Sequence, residues 1–145
     1  MSLMSSVEAR LQLRVPDDFK QVGSALSLAQ VVTRAPQAGI SVWPVMLSDR
    51  PAGDQRTAGP ALQKSVITIG VIIAIRSVND PRGDKGLISL EGARKIVQEQ
   101  LFGWTPDDAL VPCLLAPGEL IKMDNATIWW MDRYTTSVQY RAPQN

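Results

Sequence analysis

Between Lys64 and Val78 apolar side chains fall at every second position, with Ile67, Ile69, Val71, Ile73 and Ile75 in one series. A period of two predicts a strand with that series facing a core. The alternate series, Val66, Thr68, Ile72, Ala74 and Arg76, is half apolar and suits contact with another element or subunit. Gly70 marks a bend or a close backbone approach. "GISVWPVML" (39–47) reads as a second strand, and Pro44, which has no N–H to donate, places it at an edge or a bulge. The spacing changes at Leu90, Ala93, Val97 and Leu101, one apolar stripe of a helix with Ser89 as its cap. Glu91 and Lys95 stand four apart on the polar side. Gly103 and Pro106 supply the expected stop.

The remaining pattern is weaker. Ser5 and Glu8 have capping-box spacing ahead of Leu11 and Leu13, so a short helix is expected before Pro16. Phe19, Val22, Leu26 and Ala29 predict another helix, capped by Asp17 or Asp18 and weakened by Gly23. A long polar loop is expected between Leu47 and Leu62, and turn material at "NDPRGDKG" (79–86). "VPCLLA" and "ELIKM" are short strand candidates, and a two-residue turn at Asp124 and Asn125 joins the latter to "TIWWMDRYTTSVQY". The expected fold is a single α+β domain over residues 1–145, in the order α-β-β-α-β-β. Its largely antiparallel or mixed sheet carries two main helices on one face.

Charge and composition then narrow the chemistry. Lys and Arg number 15 against 14 Asp and Glu, so no strong positive field draws phosphate backbones or a membrane surface. The chain has no histidine, which removes Ser-His and Cys-His nucleophilic sites, and its one cysteine argues against zinc and excludes an internal disulfide. The longest apolar run is far shorter than a membrane-spanning helix, and "MSLMSSVEAR" lacks the layout of a signal peptide, so cytoplasmic synthesis is expected. Asp107 and Asp108 form an adjacent carboxylate pair, but after Thr-Pro they read better as turn formers. "PRGDKG" lacks phosphate-loop spacing, and its RGD is read as a chance tripeptide. Trp129 and Trp130 alternate across a strand, one expected inward and the other exposed or against a partner; stacking on bases would require a basic groove. Cys113, between Pro112 and Leu114, reads as a buried small hydrophobe. No catalytic, cofactor or metal constellation emerges, and the pattern points to an assembly part.

Taken together, "GVIIAIRSVNDPRGDKG", "LEGARKIVQEQLFGWTPDD" and "IKMDNATIWWMDRYTTSVQYR" resemble the tail terminator family of long-tailed phages, in particular its Mu-like version. The shared order is a strand ending in Arg before a turn with Gly, then a helix ending at Gly103, Trp104 and Pro106. A hairpin with Trp129, Trp130 and Asp132 follows, and then Arg141 near the end. The resemblance covers about residues 30 to 141, and Tyr134 stands where the family often has Phe. It implies a non-enzymatic virion subunit without cofactor, forming a hexameric ring that caps the tail tube, ends its growth and offers a surface to the head-tail connector. Another neck or minor tail protein is the alternative within that class, and a carboxylate-only enzyme the alternative outside it. Composition places the tube contacts in the polar loops, at Arg50, Asp54, Arg56, Asp80, Arg82, Asp84 and Lys85, and the ring contacts at Ile72, Arg76, Trp129 and Arg133.

Overall fold

A computed structural model describes residues 1–32, 36, 39–53, 59–76, 84–124 and 126–143. Its elements are α1 (Leu3–Gln12), β1 (Gln21–Val22), α2 (Leu28–Val32), β2 (Gly39–Pro51), β3 (Leu62–Arg76), α3 (Asp84–Leu101), β4 (Leu114–Asp124) and β5 (Thr127–Arg141). They build one sheet in the order β1-β2-β3-β5-β4, antiparallel except for the short β1–β2 pair. The α+β class and element order are those the pattern predicts.

The long ladder from Leu62–Arg141 to Arg76–Thr127 makes β3 and β5 the spine of the fold. Ile67, Ile69, Val71, Ile73 and Ile75 all enter the core beneath α1 and α3. The α3 stripe of Leu90, Ala93, Val97 and Leu101 meets them there, together with Val7 and Leu11 of α1. α3 begins at Asp84, five residues ahead of the expected Ser89 cap. α1 is capped by Ser2, whose hydroxyl accepts from the Ser5 amide at 3.2 Å, so Ser5 lies inside the helix instead of capping it.

The helix expected from Phe19 to Ala29 does not form. Lys20 N–H donates to Ile40 and Gly23 N–H to Val42, so the chain lies along β2 before the short α2. The reason is tertiary: Phe19 and Val22 belong to the core under α1, whereas Leu28, Val31 and Val32 pack on the other side of the sheet. One straight helix cannot serve both faces, and Leu26, in the crossing, is 91% exposed. Gly23 passes so close to Trp43 that a Cβ would lie 2.7 Å from the indole nitrogen.

The second face holds its own cluster of Val31, Trp43, Val45, Ile72, Ala74, Trp129 and Met131, with Trp43 and Trp129 stacked at 6.0 Å. β1 covers β2 only at Ser41 and Val42, so Pro44, which follows Val42 in the outward series, has no neighbour awaiting its missing N–H. The two strand candidates after Val111 are one strand, β4, with irregular register at Ala116–Glu119 and Leu120–Lys122. Asp124 pairs with Thr127, so it belongs to the ladder and not to the turn.

Candidate assembly surfaces

Of the expected tube contacts, Arg50 is not in a loop. β2 continues through Pro51, opposite Ser65, and Asp49 is tied down by hydroxyl donors from Ser65 and Tyr140 that hold its carboxyl below the usual range. Asp54, Arg56, Asp80 and Arg82 lie outside the described residues, and Asp84 and Lys85 open α3. The anchors of the two polar connections differ: one leaves Pro51 and enters Leu62, at one end of β3, and the other leaves Arg76, at the opposite end. Fifteen residues of strand separate them by about 45 Å.

The expected ring contacts divide in the same way. Ile72 is fully buried and Trp129 is 2% exposed, both sealed by α2 and Trp43 within the protomer, so neither side chain reaches a neighbour. Period-two alternation alone did not reveal that α2 would cover this part of the face. Arg76 and Arg133 remain at the surface. The Arg76 guanidinium donates to the Pro36 carbonyl at 2.9 Å, and Arg133 donates to the Pro117 carbonyl at 3.0 Å and pairs with Glu119. Trp130 is half-buried on the helix side, with Arg94 over its ring at 4.5 Å, so neither ring of the pair faces outward.

Where α2 ends its cover, the second face opens into a groove of about 580 Å³, lined by residues of β2, β3, β4 and β5 that include Arg50, Val66, Thr68, Met131, Arg133 and Thr135. A bulge between Met46 and Ser48 creates it by turning Leu47 onto Gly70, where a Cβ would lie 2.9 Å from the Leu47 methyl. Arg50 has no ion-pair partner among the described residues. The groove lies in the half of the sheet nearest the Pro51 and Leu62 anchors.

The segment that contains the expected stop at Gly103 and Pro106 forms a second surface. Gly103 adopts φ +80 at the end of α3, the Trp104 ring packs on the core beneath Arg10, and Pro106 is buried. Asp107 and Asp108 form a turn, with Ala109 N–H donating to Pro106 and Asp107 N–H to the Ser6 hydroxyl at 3.0 Å. Residues 110–111 are then pinned to β5: Leu110 N–H donates to Ser137 at 2.7 Å, and the Thr136 hydroxyl to Val111 at 2.6 Å. A bridge between Phe102 and Cys113 closes the loop. Phe102, Leu110 and Val111 remain 40–52% exposed beside the two carboxylates. Sequence reasoning passed over these apolar residues because the turn chemistry around them accounted for the segment.

A family model for the phage tail terminator protein matches residues 3–145. The chain belongs to that family. The tail terminator match includes the first thirty residues, which the sequence resemblance had left out. It establishes a structural virion component that caps the tail tube, and not an enzyme. A chain from the virion of a native gene transfer agent particle is similar in fold, with TM-score 0.61 and 13% identity over 96% of each chain. A second solved chain has TM-score 0.50 and 14% identity, covering 97% of this chain and 94% of that one. Comparison with curated proteins finds no match.

Proposed function

We propose that this tail terminator works as a closed ring of identical subunits, six in number, with its strands running roughly along the ring axis. One end of the sheet meets the last ring of tail-tube protein, and the other end faces the head-tail connector. The observation that supports this is the separation, across the length of β3, of the residues at which the two polar connections leave and enter the sheet. A single flat contact with the tube would not engage both, whereas opposite faces of one ring give each its own partner. A heterologous contact that closes on itself also leaves no free end, which is how such a cap stops polymerisation. Asp54 and Arg56 on one side, and Asp80, Arg82, Asp84 and Lys85 on the other, are the charged groups of these two contacts. The Mu-like form is the version favoured by the Gly103, Trp104, Pro106 and Trp129, Trp130, Asp132 series.

The test is mass by light scattering together with tail assembly. A hexamer, in solution or on tubes, is expected. Arg56→Glu should disable one partner, and a paired Arg82→Glu and Lys85→Glu variant the other. Loss of both tube capping and head joining from a single one of these variants would reject the two-ended arrangement.

A further inference from the structure

The groove and the Phe102–Val111 segment have a geometric relation that neither has alone. Val66, Thr68, Arg133 and Thr135 point away from α1 and α3, whereas the Thr136 hydroxyl that holds Val111 and the Ser6 hydroxyl of α1 that holds Asp107 lie on the helix side. The two surfaces therefore stand at the same level along β5 and on opposite faces of the sheet. They are also complementary. The groove is apolar at Val66 and Met131 and carries the guanidinium of Arg50, without an ion-pair partner among the described residues, beside that of Arg133, which Glu119 already engages. The segment is apolar at Phe102, Leu110 and Val111 and carries the carboxylates of Asp107 and Asp108. Asp108, at φ 64, has no ion-pair partner among the described residues, and Asp107 only the chain's amino terminus at 4.0 Å.

We infer that the groove of one subunit receives the Phe102–Val111 segment of the next, making this the lateral contact of the ring. The inference rests on the ring reading above and supplies its interface. Association through these faces is head-to-tail, because a subunit that fills its neighbour's groove still presents an empty groove of its own. Propagation runs across the strands, which leaves the two polar ends of the sheet free for other partners. Backbone pairing between sheet edges is the competing geometry, and the edges are poorly suited to it. Pro44, Pro51 and a bulge interrupt β2, while Pro117 and two register shifts interrupt β4. Side chains, and not a shared ladder, then hold the ring.

Two variants separate this interface from the ring reading itself. Arg50→Glu spoils the groove and leaves the segment intact; Leu110→Glu spoils the segment and leaves the groove intact. Both positions are exposed, and circular dichroism checks the fold of each. Each variant alone should fall from the ring to a monomer. Mixed in equal amounts they should give a one-to-one dimer and nothing larger, because only one of the two possible contacts survives. On tubes, Thr68→Cys with Asp107→Cys and a flexible bismaleimide should yield a ladder of covalent oligomers. Rings that persist in either variant, or a mixture that stays monomeric while wild-type protein forms rings, would overturn the interface and leave the ring standing. Wild-type protein that is monomeric in solution and gives no ladder on capped tubes would overturn both.

Discussion

The Arg94 guanidinium closes on Asp132 from α3, its Nε 3.1 Å from both carboxylate oxygens, while the same carboxylate accepts the Trp130 indole N–H at 2.9 Å. Asp132 is 7% exposed, so it depends on these donors for the solvation it has lost. They also clamp α3 to β5 beside the half-buried Trp130 ring. Arg94→Ala is expected to destabilise the fold by about 1–3 kcal/mol, the cost of leaving a nearly buried charge short of partners, reduced because the arginine is itself partly in water. Asp132→Asn, which keeps an acceptor for the indole, should cost less than Asp132→Ala. Urea midpoints at constant m-value measure both, and equal midpoints for the two Asp132 variants would contradict the indole contact.

Two glycines separate steric from conformational cost. A Cβ on Gly118 would lie 2.5 Å from Asp132 Oδ1 and 3.2 Å from the Met131 carbonyl, so Gly118→Ala must displace the carboxylate that Arg94 holds. A loss of about 1–3 kcal/mol follows. Gly103 has open space around it but φ +80, so Gly103→Ala should cost about 1 kcal/mol from backbone strain alone. Asn, which tolerates that conformation, should recover part of the loss at Gly103 and none at Gly118. Thermal denaturation of the four variants decides this.

The Tyr134 hydroxyl is buried and has no hydrogen-bond partner among the described residues. Burial pushes its ionisation well above 10.0, with the Asp132 charge adding to the shift. Tyr134→Phe removes a buried group that gains nothing inside, and it should stabilise the fold by about 1 kcal/mol. A lower denaturation midpoint would mean that the hydroxyl has a water or partner after all.

Burial also raises the Cys113 thiol from 9.0 to about 11. Folding therefore favours the neutral thiol. The full contribution is present below pH 9 and is lost as pH rises towards 11, because the unfolded chain releases its proton first. The loss should be on the order of 2 kcal/mol. Cys113→Ala should flatten that part of the stability–pH curve, and the wild-type thiol should react with a disulfide reagent at neutral pH only on unfolding. Fast labelling of native protein would show the site to be open.

The local pattern went furthest where one element meets one environment. The period of two from Ile67 to Ile75 and the stripe from Leu90 to Leu101 each face the same core along their whole length, so the spacing alone identifies the strand, the helix and their inner faces. The Gly103 stop and the hairpin that brings Trp129 and Trp130 onto β5 are equally local, because turns depend on residues adjacent in sequence.

The contact surfaces were less legible. Arg50 looked like loop because its neighbours are polar, yet pairing with Val66 extends the strand beneath it. Ile72 and Trp129 looked available because alternation gives the direction of a side chain and not what covers it; α2 and Trp43 cover both.

What the sequence by itself determined is the α+β class, the two central elements and the lack of histidine chemistry, since these follow from composition and short-range periodicity. Only the tertiary structure decided how residues 17–32 pass from one face of the sheet to the other, which apolar residues stay exposed and where the two polar connections are anchored. Each of those depends on contacts between positions distant in the chain, where burial against another segment outweighs local propensity.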